Sequence, residues 1–239
     1  MLPHFPAGIT ADESRAILDA SGWSEIASGD WAWVFASPDD SVVARVTPFD
    51  PAFRLFAERS LDGRPNPYLV RVDRLIPLRR KGYVVIMERL HPAPDDRAHR
   101  LIASVAIEAG RTSAQPDSGA EPADDPDVAD LRDRLADLLV DGARRFHLWG
   151  GADIKPENIL QTDDGHLRIT DPVYLRGLDI VEAIGRGDAE TLRDFSRDDL
   201  LDFLTIPVFS PGPETDALMR KVDALEFRSA ASRRSPRDT

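Results

Sequence analysis

The chain is 239 residues long, 42% hydrophobic and 30% charged, with a formal net charge of -12. That length can bury the core of one domain or of two small lobes, and no apolar run approaches the roughly 18 residues that span a bilayer. The acidic balance argues against a broad nucleic-acid interface, which needs a dense Lys/Arg surface, and the absence of cysteine excludes disulfides and thiolate metal ligands.

The opening residues MLPHFPAGIT carry neither a basic leader nor a long apolar stretch, which predicts no secretory signal and a cytosolic location. Thr10 and Glu13 form a capping-box pattern, and the helix they open carries Ile17 and Leu18 and stops at Gly22. Apolar and aromatic runs at 23–27, 31–37 and 41–46, the last two separated by Pro38-Asp39-Asp40, predict three consecutive antiparallel strands. Over 51–61 the proline suits a first helical turn, and Phe53, Phe56 and Ala57 recur at helical spacing. Two more strands follow at 68–78 and 83–88, separated by the charged turn Arg79-Arg80-Lys81-Gly82.

The second half reads as mainly helical. Helices are predicted at 95–109 and 128–149, the latter with a stripe of Leu131, Leu135, Leu138, Leu139 and Phe146. Between them, 112–126 is rich in Pro, Asp, Ser, Gly and Ala and buries too little apolar surface to offset ordering entropy, so a mobile loop is predicted. Asp163-Asp164-Gly165 between the short runs 158–160 and 167–170 is a hairpin signal. Two or three short helices are expected over 189–227, and the basic, proline-interrupted end at 229–239 should be disordered.

The most specific stretch is Ala152-Asp153-Ile154-Lys155-Pro156-Glu157-Asn158-Ile159-Leu160, followed after the hairpin by Ile169-Thr170-Asp171. It resembles the catalytic loop and metal-binding strand end of the protein-kinase-like superfamily. Phosphoryl transfer asks the protein for positioning and charge neutralisation more than covalent participation. Asp153 is the candidate to orient the attacking group, and Lys155 can offset charge on the transferred phosphoryl. Asn158 and Asp171 offer the neutral oxygen and the carboxylate that would hold magnesium. The same Asp and Asn residues could instead cap turns in an ordinary loop.

The resemblance covers roughly residues 25–173 and implies an α+β, bilobal fold with ATP and magnesium between the lobes. The expected N-lobe is 1–88, with five antiparallel strands, and the reduced helical C-lobe is 89–228, with 229–239 as a tail. Where the family has a glycine-rich covering loop, this chain has Ile26-Ala27-Ser28-Gly29-Asp30-Trp31-Ala32, with Gly29 alone in register; an ordinary hairpin is the competing reading. The family's phosphate-gripping lysine corresponds to Arg45, and Glu58 on the following helix is its expected partner. Backbone groups of the hinge, from Glu88 to Leu90, would meet the adenine.

Departures from the family are Gly151 in place of a histidine, Pro172-Val173 in place of Phe-Gly, and the lack of an Ala-Pro-Glu segment, with only 68 residues after Asp171. Pro172 predicts an extended, rigid backbone at Asp171. His91, His147 and His166 lack the spacing of a metal motif. The resemblance implies a small, atypical, bacterial-type Ser/Thr kinase acting on a dedicated protein partner or on itself, without nucleic acid or membrane. A pseudokinase-type binding module and a small-molecule phosphotransferase are the alternatives.

Overall fold

The run Tyr83-Val84-Val85-Ile86-Met87 shows no polar alternation, and the computed structural model, which describes residues 2–105 and 125–225, gives the reason. Both faces of the strand are covered. In chain order, α1 (Ala11–Ala20) precedes β1 (Ser24–Ser28), β2 (Trp33–Ala36) and β3 (Val42–Thr47). Next come α2 (Pro51–Asp62), β4 (Val72–Pro77) and β5 (Tyr83–Glu88). The five strands form one antiparallel sheet in the order β1-β2-β3-β5-β4. On one face Ala44, Val46, Val84 and Ile86 pack with Leu18 and Trp23. On the other, Val43, Tyr83, Val85 and Met87 pack with Phe53, Phe56 and Ala57 of α2. The caps of both helices are the ones their sequences encode: Thr10 and Glu13 exchange hydrogen bonds, and Asp50 accepts from the Phe53 N–H at 3.1 Å ahead of Pro51.

The second half contains β6 (His91–Pro92), α3 (Asp95–Val105), α4 (Pro126–Arg145), β7 (Trp149–Ala152), β8 (Ile159–Gln161), β9 (Leu167–Ile169) and β10 (Val173–Leu175). It then closes with α5 (Gly177–Arg186), α6 (Arg197–Phe203) and α7 (Pro213–Ala224). The helix predicted over 128–149 ends earlier, at Arg145. The chain turns at Phe146 and brings the Trp149 indole back onto α4, where a Cβ on Gly142 would lie 2.3 Å from the ring. The freed segment becomes β7, which pairs with β10. Neither of these strands, nor α5, was expected. Both are three or four residues long, too short to show a period.

The largest cluster of buried side chains contains Val43, Phe49, Phe53 and Tyr83 together with Leu148, Ile180, Leu200 and Phe203, so it draws on both sides of the boundary predicted at 88/89. A separate cluster joins α3 and α4 to β8 and β9 through Leu101, Leu131, Leu135, Ile159 and Ile169. The loop predicted at 112–126 lies outside the described residues except for Asp125 and Pro126, and the tail at 229–239 lies wholly outside them.

Candidate functional site

Two short pairings bring the motif residues together. β7 and β10 run antiparallel with Ala152 opposite Val173, and the Asp153 N–H donates to the Pro172 carbonyl at 2.8 Å. Asp153 is thereby fixed beside Asp171. The hairpin of β8 and β9 then returns the chain so that the Thr170 N–H donates to the Asn158 carbonyl at 2.8 Å. Gly165 takes the left-handed turn position, with φ of 85°, that its Asp-Asp-Gly context predicts.

Asn158 is the joint. Its Nδ2 donates to the Asp153 carbonyl at 2.7 Å, to Asp153 Oδ2 at 3.0 Å and to the Asp171 carbonyl at 3.0 Å. These bonds use the amide nitrogen and leave Oδ1 as the atom with which Asn158 could meet a cation. Lys155 Nζ lies 2.9 Å from Asp153 Oδ2, and that bond holds the ammonium above its ordinary pKa against partial burial. The four residues singled out by spacing therefore share one small volume. Gly150 and Gly151 are required beneath them: a Cβ on Gly150 would lie 2.4 Å from the Tyr174 ring, and Gly151 has φ of 100°. A histidine at 151 would strain that backbone.

Arg45 lies where expected on β3, but its predicted partner is wrong. Glu58 pairs with Arg54 at 2.8 Å on the outer side of α2, one turn away in the same helix. The stripe of α2 that faces the core carries Phe53, Phe56 and Ala57, which leaves Glu58 half exposed and away from β3. The Arg45 guanidinium instead reaches under the N-terminus of α2. Its Nη2 donates to Asp50 Oδ2 at 2.8 Å and to Asp171 Oδ2 at 3.2 Å, and its Cζ lies 3.7 Å from the centre of the Phe53 ring. Arg45 is 7% exposed, so this pairing compensates a charge removed from water. Asp50 was missed by sequence reasoning. The signal was present as an aspartate directly before Pro51, the N-cap position of a helix.

The charges do not balance around Asp171. Burial raises its carboxyl from 3.8 to about 7; Arg45 opposes the shift, and the neighbouring carboxylates of Asp50 and Asp153 add to it. Arg45 itself is held more firmly protonated, because Asp171 and Asp50 together outweigh its own desolvation. A single guanidinium faces both carboxylates, Asp50 at 2.8 Å and Asp171 at 3.2 Å.

These groups line a cleft of about 1440 Å³ that also includes Gly29, Arg45, Glu88 and Leu90. The Glu88 carboxylate is occupied elsewhere, accepting from the Arg71 N–H at 2.7 Å and pairing with Arg168 at 3.0 Å. Its backbone N–H is engaged as well, donating to the Arg71 carbonyl at 3.1 Å. The Leu90 N–H makes no backbone hydrogen bond among the described residues. Opposite it, the loop between β1 and β2 is pinned down: the Gly29 N–H donates to Ala32, the Thr47 hydroxyl to the Trp31 carbonyl at 2.6 Å, and the Val208 N–H to the Asp30 carbonyl at 3.2 Å. The Trp31 ring packs on Phe203 at 5.4 Å between centroids, and a Cβ on Gly177 would lie 3.0 Å from it.

Among the described residues no three His, Asp or Glu side chains converge closely enough to hold a metal ion by themselves. Asn158 and Asp171 contribute hard oxygen donors that suit magnesium only as part of a shell completed by other oxygens. Among the described residues no helix is long and apolar enough to cross a membrane.

No protein-family model and no curated protein matches the chain. Among solved structures it is similar to a chain of the CAK complex of Chaetomium thermophilum bound to ATP-gamma-S, with 15% identity, 92% of this chain and 78% of that chain covered, and a TM-score of 0.35.

Proposed function

We propose that the chain is an atypical, protein-kinase-like phosphotransferase that binds ATP with magnesium in this cleft and phosphorylates a Ser or Thr hydroxyl on a dedicated protein partner or on itself. The observation that carries the reading is the Asn158 amide, which ties Asp153 and Asp171 together within 3.0 Å bonds at the mouth of a cleft large enough for a nucleotide. A turn-capping role for these residues would not require residues 13 positions apart to meet at one amide.

In this reading the sheet half and the second half act as two lobes, with the nucleotide between β1, β3 and the Leu90 backbone on one side and Leu160 on the other. Magnesium, when bound, would be held by Asn158 Oδ1 and the Asp171 carboxylate and would neutralise phosphate charge. Asp153 orients the acceptor: Oδ2 is anchored by Lys155 and Asn158, leaving Oδ1 to accept from the hydroxyl. The acceptor oxygen bonds to the γ-phosphorus as the bond to the bridging oxygen breaks; ADP leaves and the hydroxyl proton passes to Asp153. Lys155 offsets the charge on the moving phosphoryl group. Arg45 Nη1 is buried without a hydrogen-bond partner among the described residues, and a phosphate oxygen would supply the missing acceptor.

One observation favours a second reading, a nucleotide-binding module without turnover: both bonds of Arg45 Nη2 go to carboxylates of the protein. Purified protein incubated with labelled ATP and magnesium, followed by intact mass and phosphosite mapping, separates the two. Calorimetry tests the shared premise. ATP should bind with magnesium and weaken sharply in excess chelator; equal affinity in both would remove Asn158 and Asp171 as metal-binding residues.

A further inference from the structure

The β3 cation of this site is held from the first residue of a helix cap, not from the body of the helix. Asp50 caps α2 through Oδ1, which accepts from the Phe53 N–H at 3.1 Å, and pairs with Arg45 through Oδ2 at 2.8 Å. Its carbonyl accepts from the Tyr83 hydroxyl at 2.8 Å and from the Arg54 N–H at 3.1 Å. Every acceptor of Asp50 is therefore engaged by a different fixed element: β3, β5 and the first turn of α2. Asp50 and Tyr83 are 6% and 0% exposed, so water does not compete for these bonds. Phe53, the residue whose N–H is capped, also supplies the ring beneath the guanidinium. No bond in this cradle involves α2 beyond its first turn.

We infer that Asp50 is the positioning residue of the proposed nucleotide site: it fixes Arg45 against Asp171 and does the work that sequence alone assigns to Glu58. The inference rests on the proposed nucleotide reading but makes a separate claim. An anchor at the start of α2 is unaffected by rotation of the helix about its own N-terminus, whereas an anchor at Glu58 would be broken by it. The Arg45 arrangement is therefore assembled before any ligand arrives, and pre-ordering of this kind lowers the cost of binding. Asp50 touches no reacting atom, so its loss should act on nucleotide affinity through Arg45.

The test compares Asp50→Asn, Asp50→Ser and Glu58→Gln with wild type, using calorimetry with ATP and magnesium and thermal melts on each protein. Asn and Ser both remain good N-caps, but neither carries the charge that holds Arg45. Each should weaken ATP binding about tenfold or more, the order expected for losing a hydrogen bond between charged groups. Glu58→Gln should bind like wild type. In a phosphotransfer assay the Asp50 variants should raise the KM for ATP more than they lower kcat, a split that general destabilisation does not produce. A folded Asp50 variant with wild-type affinity would overturn the inference, and so would a tenfold loss in Glu58→Gln. The latter substitution is at a half-exposed position and keeps the inference open to refutation even if both Asp50 variants fail to fold. Absence of ATP binding in wild type would instead overturn the nucleotide reading itself.

Discussion

Asp171 is asked to be an anion in a place that disfavours one. Its carboxyl is raised from 3.8 to about 7 by burial, against Arg45 and with the repulsion of Asp50 and Asp153. Between those two values the folded chain keeps a proton that the unfolded chain has released, so this residue makes stability fall as pH rises from 3.8 to about 7 and adds no further slope above that. Asp171→Asn removes the effect. Urea melts of both proteins should therefore show the variant gaining on wild type between pH 5 and pH 8; parallel stability curves would mean that Asp171 ionises freely. Asp153 receives Lys155 and Asn158 on one carboxylate oxygen. Asp153→Asn should leave ATP affinity nearly intact while slowing phosphotransfer by about 100-fold or more. Wild-type turnover in that variant would reduce Asp153 to a turn-capping residue.

The elements that present these residues depend on glycine in a way that charge patterns do not reveal. Gly142 lets Trp149 close onto α4, Gly150 lets the Tyr174 ring lie against β7, and Gly151 supplies a backbone with φ of 100° directly before the Ala152-Asp153 step. Gly151→Ala should cost about 1 to 2 kcal/mol from the left-handed backbone alone, and Gly142→Ala about 1 to 3 kcal/mol from overpacking against the indole. Denaturant melts measure both, and a Gly151→Ala protein as stable as wild type would show that β7 can adopt another path. These positions also mark the limit of what the sequence discloses. The Asp153, Lys155, Asn158 and Asp171 grouping was legible because hydrogen-bond donors and carboxylates at fixed offsets flank a readable Asp-Asp-Gly turn. β3, α2 and β5 were legible because their apolar runs are long enough to have a period. Strands of three or four residues have none: β7 and β10 were missed, and β8 and β9 were legible only through the Asp-Asp-Gly turn that joins them. The choice of Glu58 over Asp50 failed for a different reason. Spacing along α2 says which residues share a face, but it does not say which end of the helix the Arg45 side chain reaches.

At the scale of the whole molecule, the sheet half and the second half are joined by apolar packing on one side and by charge on the other. The tight turn between β4 and β5 projects Arg80 and Lys81 onto α6, where Arg80 meets Asp202 at 2.8 Å and Asp198 at 3.3 Å, and Lys81 meets Asp199 at 2.7 Å. Isolated surface pairs contribute little, but this group is a network and part of it is buried. Asp199 is 5% exposed and caps α6 with Ser196, while Asp202 has one carboxylate oxygen buried without a partner among the described residues. Burial raises the Asp202 pKa, and its bond to Arg80 is the main opposing influence. Removing the arginine would leave that carboxylate uncompensated. Arg80→Ala is therefore expected to cost about 1 to 3 kcal/mol, the range for stranding a buried polar group. For a chain of this size that corresponds to a melting point lower by about 2 to 4 °C per kcal/mol. Arg186, paired with Glu182 along the exposed face of α5, is the control: Arg186→Ala should change stability by less than about 0.5 kcal/mol. Salt separates the network from its buried part. Raising ionic strength should screen the exposed Lys81 and Asp198 and narrow the gap between Arg80→Ala and wild type without closing it, because the Asp202 contact is shielded from ions. A gap that vanishes in high salt would make the clasp a surface feature that adds nothing to the apolar packing around Phe49 and Phe203.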